Sequence, residues 1–566
     1  MNVLAEAHLL LVAFLFRRLG MEASPSLNRI FSGIIAGRKG IGDNGISNPV
    51  RSFMRVFIMP VLILVQWVSA ADLTMLGVSR GNLVNGEGEE IVLRGMNMDL
   101  YYGRVENDPE APFLYASEED IEYLAELGCN SLRLCLHWKL FETGRGFDLV
   151  DTYLSWCQPR GIYLILDMHR VPPENGSGSS GIWNSSEAQD ALCDMWASIA
   201  ARYANNPGIA GYDIFNEPSP DTPDLWWNLA QRVADTIRVE DENHILFIET
   251  PGGRCSDLRL IDDTNTAYSI HCYDPFTISH AGAEWPGDSP VPCNSTYPGD
   301  VLTGVEWVGW SSGTARLTER APNWMRWNSG AIVIPEGVEL VSLKAYLTGN
   351  TGPVQFDEFE VSLNGRDLTV LNGGIEDFSS RRPGQPASWV FYTDGDFNGT
   401  AEGNAFRGSS CLGADGSRGT ASWIQTRSYY TAPLFPVQPG DSIQVTGMIR
   451  APMNRGEIAL GLDYLVEKRE DWSRSTLRER LQYAVQWAES NEVPLYVGEF
   501  GSLPGAGYRS RNNLISDWIS VLNQEKLHWA FWTYRNPGDQ AFGLFYNNSQ
   551  PDETLSEILL QGYSGN

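Results

Sequence analysis

"IAGYDIFNEPSP", residues 209–220, runs from apolar residues straight into Asn216, Glu217 and Pro218. It reads as a buried strand that delivers a carboxylate at its C-terminal end. Glutamate is almost never fully buried unless something pairs with it, so the placement asks for a chemical reason. The same pattern recurs on both sides. "IVLRGMNMD" (91–99), "NSLRLCLHW" (130–138) and "IYLILDMH" (162–169) precede it; "HILFIETP" (244–251), "AYSIHCYDPF" (267–276), "PLYVGEFG" (494–501) and "LHWAFWTYR" (527–535) follow. Each is a short apolar run ending in polar residues and leading into a helical pattern, such as "SEEDIEYLAELG" (117–128), with a capping box at Ser117 and Asp120 and a stop at Gly128. Strands that are apolar throughout and alternate with helices imply a parallel sheet covered by those helices. Eight such units predict an α/β fold, a closed (β/α)8 TIM barrel.

The rhythm breaks between residues 301 and 467. That stretch is rich in Gly, Ser, Thr and Asn, alternates in polarity as in "GDSIQVTGMIR" (440–450), and has no long helical pattern. It predicts an antiparallel β-sandwich inserted in the loop after strand 6, a surface position that leaves the barrel intact. The chain therefore divides into a leader (1–70), the first part of the barrel (71–300), the sandwich (301–467) and the second part of the barrel (468–566).

The 566 residues carry 41 basic and 70 acidic side chains, a net charge of −29. A field of that sign repels nucleic acid and anionic membranes, and a neutral or cationic ligand suits it. Eight scattered cysteines show no C-x-x-C pair and no zinc spacing. Near the N-terminus, Arg51 and Arg55 flank the start of an apolar run that ends in Val68-Ser69-Ala70. This is the layout of a secretory signal peptide over 54–70, with residues 1–53 an extension ahead of it. The run is shorter than the ~20 residues that span a bilayer, so a secreted, extracellular or periplasmic monomer is expected, with no membrane contact beyond the signal or an anchor.

In a barrel of this kind the C-terminal strand ends carry the site. Here they offer Asn97 and Asp99, Arg133 and His137, His169, Asn216 and Glu217, His271 and Tyr273, Glu499, and Trp532 with Tyr534. One polar residue at a strand end is more often structural than catalytic; so many converging from separate strands are hard to explain as packing. His244 and His528 stand at strand starts and read as structural. Glu217 and Glu499 face each other across the mouth, the pairing that glycoside hydrolysis requires. Histidines also raise a metal site, but there is no H-E-x-x-H, and their neighbours are Asn, Tyr and Arg rather than dense acid; no metal or other cofactor is expected.

Together, "GYDIFNEP", "YVGEFG", "LILDMH", "IHCYDPF" and "FWTYR" resemble the family-five glycoside hydrolases of the cellulase type, over about residues 85–300 and 468–560. The resemblance implies a secreted retaining endo-β-1,4-glucanase acting on polysaccharide or oligosaccharide, with a β-mannanase or other β-glycanase as the alternative and an inactive carbohydrate-binding protein as a remote one. It implies Glu217 as acid/base and Glu499 as nucleophile. Asn216 would bond the sugar 2-hydroxyl, Tyr273 would bond the nucleophile and Arg133 would hold it ionised. His169 and His271 would line the subsite, with Trp532 as its floor. "TISHAGAEWP" (277–286) adds His280 and Trp285 as glycone contacts. An apolar strand behind Glu217 predicts a raised pKa for it.

The inserted stretch has its own resemblance. "GPVQFDEFEV" (352–361), "NGGIEDFSS" (372–380) and "VQPGDSIQVTGMIR" (437–450) are similar to carbohydrate-binding jelly rolls, with the closing half first, as in a circular permutation. Trp310, Trp324, Trp327, Trp389 and Trp423 are its candidates for stacking on sugar, although a tryptophan there more often fills the core.

Overall fold

Eight parallel strands close into a barrel: β1 (Arg94–Met98), β2 (Ser131–His137), β3 (Tyr163–Arg170), β4 (Ile209–Asp213), β5 (Ile245–Glu249), β6 (Thr266–His271), β7 (Leu495–Phe500) and β8 (His528–Phe531), with β8 paired back to β1. The structure is a computed structural model, and it describes residues 73–99, 116–172, 181–287, 290–349, 352–378, 384–425, 434–535, 542–546 and 550–565. The signal-peptide reading lies outside these residues. No helix among them is long and apolar enough to cross a membrane.

Strand alternation explains both shells of the barrel. On β2, Leu132, Leu134 and Leu136 point out into the core shared with the helices, which leaves Ser131, Arg133 and Cys135 on the other face. On β3, Leu164, Leu166 and Met168 do the same, leaving Ile165, Asp167 and His169 inward. The lower barrel is filled by Tyr163, Ile165, Ile245, Phe247 and Tyr496. Leu76 and Leu83, on a hairpin of Gly77–Ser79 with Asn82–Val84, pack against that layer. Three-residue strands carry no readable periodicity, and the hairpin was not expected from the sequence.

Helices Glu118–Leu127, Arg145–Cys157, Ser186–Tyr203, Pro223–Glu240, Arg474–Asn491, Tyr508–Gln524 and Glu553–Tyr563 form the outer ring. After β5 the expected short helix is a single 3-10 turn, Pro251–Gly253. Gly252 and Gly253 there take φ of +65° and +66°, conformations that end a right-handed helix.

After β6 the chain rises into two antiparallel sheets. One runs Trp389–Thr393, Thr420–Gln425, Leu340–Thr348, Glu457–Trp472, Gly299–Ser311; the other runs Ala321–Asn328, Ser442–Ala451, Val354–Leu363, Cys411–Asp415, Asn398–Glu402. Val341, Leu343 and Trp423 from the first share a core with Phe356, Ile443 and Val445 from the second. The chain enters on Gly299–Ser311 and leaves on Glu457–Trp472, with Gly299 opposite Trp472. Val301 and Trp472 belong to the barrel core, so these two strands are continuous across the expected bounds of 301 and 467. Trp389 and Trp423 are buried, their ring N–H groups donating to the carbonyls of Asn372 (3.0 Å) and Gly413 (2.9 Å). They fill the core. Trp327 packs against that core and Trp324 lies edge-on to Phe406. Trp310 instead is 39% exposed, with the Lys344 ammonium 4.7 Å from its ring centre.

Candidate active site at the barrel mouth

Arg133 is the hub. Its guanidinium is fully buried and donates through Nε to Asp213 (2.8 Å), through Nη1 to Asn97 (3.1 Å) and Glu499 Oε1 (2.9 Å), and through Nη2 to Asn216 (3.0 Å) and Glu249 Oε1 (2.8 Å). Asp167 lies 3.1 Å from Nη2. A planar fork with five N–H donors suits this task, and a lysine ammonium does not. Burial works against the Arg133 charge, but Asp167, Asp213, Glu499 and Glu249 together raise its pKa well above the usual value. For Asp213, burial with the neighbouring Glu249 and Asp167 outweighs Arg133, and its pKa is raised well above the carboxylate range.

Two sequence-derived contacts to Glu499 are present: Arg133 on Oε1, and the Tyr273 hydroxyl donating to Oε2 at 2.8 Å. Glu217 follows β4 in the left-handed region at φ +45°, a conformation that costs a non-glycine residue roughly 1–3 kcal/mol and is held by its surroundings. The holder is Glu249, whose Oε2 accepts from the Glu217 N–H at 2.7 Å. His271 bridges the centre, with Nδ1 3.0 Å from Glu217 Oε1 and 3.6 Å from Glu499 Oε2, and Nε2 3.2 Å from Glu249 Oε1. The facing oxygens of Glu217 and Glu499 and the ring nitrogen of His271 lie within 4.8 Å of one another.

The raised pKa expected for Glu217 is not found. Burial pushes its carboxyl up, but the hydrogen bond and charge of His271, helped by His169 and Arg133, pull it down to about 2. The strand behind Glu217 is apolar, as expected; the partner that decides its charge comes from β6. Its side chain is 42% exposed, so water screens this interaction and it is not a store of folding stability. Burial disfavours the His271 charge, yet Glu249, Glu499 and Glu217 raise its pKa well above the usual histidine value.

His169 donates through Nδ1 to Asp167 Oδ2 at 2.7 Å, lies 3.4 Å from the Asn216 amide through Nε2, and stacks on Trp532 at 5.4 Å and 14°. These residues join the centre. His280 does not: it is buried, stacked on Phe276 at 4.0 Å and walled by Tyr273 and Phe542, and burial lowers its pKa to about 3. Trp285 is 47% exposed at the edge of this aromatic cluster. His137 caps the helix Trp138–Glu142, and Tyr534 bonds Asp120. His244, between Asp241 and the Asn206 carbonyl, and His528, accepting from the Leu93 N–H, hold the barrel's other end.

Asp167, Asp213 and Glu249 were missed from the sequence. The available signal was a carboxylate at an inward position of an apolar strand. Metal-type donor sets occur among the described residues, Asp167–Asp213–Glu249 and Cys135–Asp167–His169 besides the Glu217 group; in the first, Arg133 already takes the place of a cation.

A parallel barrel with paired carboxylates at its C-terminal mouth defines the class, a (β/α)8 barrel enzyme scaffold. The chain belongs to the cellulase family, glycosyl hydrolase family 5, whose profile matches residues 84–314 and 455–538, more than half of it. It is 28% identical over 208 residues to endoglucanase C of Acetivibrio thermocellus, covering 34% of this chain and 60% of that protein. It is 27% identical over 249 residues to a β-xylosidase of Phanerodontia chrysosporium, covering 36% and 52%. The chain thus spans less than two thirds of the length of these relatives. An endoglucanase structure from Thermotoga maritima aligns with a TM-score of 0.43 and 17% identity, over 82% of this chain and 96% of that one.

Proposed function

We propose that this protein is a secreted, retaining endo-β-1,4-glucanase of the cellulase type, with Glu217 as acid/base and Glu499 as nucleophile. The carrying observation is the approach of the two carboxylates to within 4.8 Å, with Glu499 oriented by Arg133 and Tyr273. Retaining enzymes need carboxyl groups about 5–5.5 Å apart, whereas inverting ones leave roughly 6.5–9.5 Å for a water. Asn216 would bond the sugar 2-hydroxyl, and Trp532, which stacks with His169, would form the floor under the ring. Relatives named endoglucanase and cellodextrinase support glucan as the polymer, and one named β-xylosidase warns that the scaffold takes others. Carboxymethylcellulose, barley β-glucan, lichenan and glucomannan assayed side by side separate a glucanase from a mannanase. Hydrolysis followed by NMR should show the β-anomer as first product; an α-anomer first would end the retaining assignment.

The sandwich is read as a carbohydrate-binding-like domain. Trp310 and Tyr346, 4.8 Å apart and beside Lys344, are its stacking surface. Trp310→Ala should lower activity on insoluble polymer severalfold, in line with the roughly 0.5–1.5 kcal/mol of an aromatic contact, and leave short soluble oligosaccharides unaffected. Equal loss on both, or on neither, would remove that role.

A further inference from the structure

The cysteines are scattered through the sequence, and the fold brings two of them together. Cys255 stands two residues beyond the turn Pro251–Gly253 that follows β5, and Cys272 directly follows β6. Their sulfurs lie 4.0 Å apart. Cys129 and Cys293, by contrast, face carbonyls, those of Ser131 at 3.1 Å and Val291 at 3.8 Å. Neither Cys255 nor Cys272 joins a metal-type donor set among the described residues. We propose that Cys255 and Cys272 form an oxidation site, joined as a disulfide that ties the loop after β5 to the strand end carrying His271 and Tyr273.

The approach needs little movement. A disulfide spans ~2.05 Å, and turning a side chain from one staggered rotamer to the next carries its sulfur further than the remaining ~2 Å. Both partners hang from backbone that is held in place. The Cys272 N–H donates to the Glu499 carbonyl at 2.8 Å, and the Thr250 hydroxyl donates to the Arg254 carbonyl at 2.6 Å. Cys255 is half-buried and Cys272 buried, so an oxidant meets Cys255 first. With a small-molecule disulfide as oxidant, the Cys255 thiolate attacks one of its sulfurs and the other leaves as a thiolate. The Cys272 thiolate then attacks Cys255 Sγ, the mixed disulfide breaks, and the second small thiolate leaves. The two protein thiol protons end on the two departing thiols; the protein gives up two electrons and the oxidant gains them. An exported protein meets oxidants of this class. That setting rests on the secreted reading, whereas the pairing rests on the geometry.

The loop so tied backs the site. The Gly252 N–H donates to the carbonyl of Pro218, next to Glu217, at 2.7 Å. A Cβ on Gly253 would stand 2.9 Å from His271 Cγ, so the loop backbone lies against that ring. Cys272 itself separates His271 from Tyr273, whose hydroxyl bonds Glu499. A cross-link between positions 17 apart in the chain removes freedom chiefly from the unfolded state. It also keeps the loop against the ring during local opening.

Purified protein is incubated with oxidised glutathione, alkylated in denaturant without reductant, and digested with trypsin and chymotrypsin. Trypsin cuts after Arg254 and Arg259, and chymotrypsin, cutting after Tyr273 or Phe276, separates Cys272 from Cys293. Mass spectrometry should show the Cys255 and Cys272 peptides linked, and the link should vanish with dithiothreitol. Full alkylation of both thiols, or linkage of either one to another cysteine, overturns the proposal. Reducing the oxidised protein should lower its melting temperature by about 3–8 °C. In Cys255→Ala, which changes a half-buried side chain, dithiothreitol should no longer move the melting temperature. A variant that keeps the wild-type shift owes it to a different bond, and the proposal then fails. The peptide map needs no variant and reports the pairing wherever the protein resides, so an intracellular location would sink the secreted reading alone.

Discussion

Glu499→Gly is expected to lower turnover by more than about a thousandfold while the protein still folds, since the covalent route is lost with its nucleophile. The variant should fold because Arg133 keeps Asp167, Asp213 and Glu249 as partners, and the site lies above the apolar layer of the barrel. Azide fills the space left by the carboxylate and attacks from the same side, so it should restore hydrolysis-level turnover and yield an α-glycosyl azide. Glu217→Gly, by contrast, leaves the glycosyl-enzyme route open for activated substrates, and azide then gives the β-product. Purified Glu499→Gly with activity within tenfold of wild type would remove it as nucleophile. A β-azide from that variant would exchange the two roles.

What the sequence made legible follows from period and position. β2 reads Ser-Leu-Arg-Leu-Cys-Leu-His, and three outward leucines leave Arg133 no direction but inward; the same logic placed His169, His271 and Glu499. The strand order followed from the alternation with helices, and the break after β6 from the change of texture. Other features were not legible because their causes are not local. Asp167 lies two residues before His169 on one face of β3, yet in a single strand it looks like any terminal acid; its meaning comes from Arg133, 3.1 Å away on a neighbouring strand. Glu249 ends an apolar run much as Glu217 does, but no Asn-Glu-Pro motif marked it. The lowered pKa of Glu217 was not legible along its own strand, because its main cause, His271, comes from two strands further round. His280 stands in a loop that suggested a sugar contact, but Phe276, four residues before it, takes the ring in a stack. A stack of that kind depends on how the loop closes, which spacing alone does not state.

Arg133→Met should be the most destabilising single change at the mouth. Methionine roughly fills the volume but leaves Asp167, Glu249 and Glu499 without their cation in a buried layer, where Arg133 and its Asp167 and Glu249 partners are wholly shielded from water. Breaking one side of a buried ion network costs about 3–5 kcal/mol, a large share of the roughly 5–15 kcal/mol that holds a domain folded. The loss has a pH signature. In the wild type, burial pushes Asp167 up, but Arg133 and His169 pull it below its ordinary value. A depressed carboxylate contributes stability above its unfolded pKa of about 3.9, and that contribution disappears as pH falls through the folded value. In Arg133→Met the larger pull is gone and only His169 still opposes burial, so the Asp167 pKa moves up. A raised carboxylate costs stability above the same unfolded value, increasingly so as pH rises. The gap in melting temperature between wild type and variant should therefore widen from pH 4 to pH 7. Arg133→Lys restores one charge but not the fork, so it should recover part of the stability and little of the activity, since one ammonium cannot orient Glu499 and still meet Asn216, Asp213 and Glu249. Denaturant or thermal unfolding at both pH values decides the matter. A variant that melts with the wild type at pH 7, or a gap that narrows toward neutral pH, would show that the carboxylates do not depend on Arg133 for their charge.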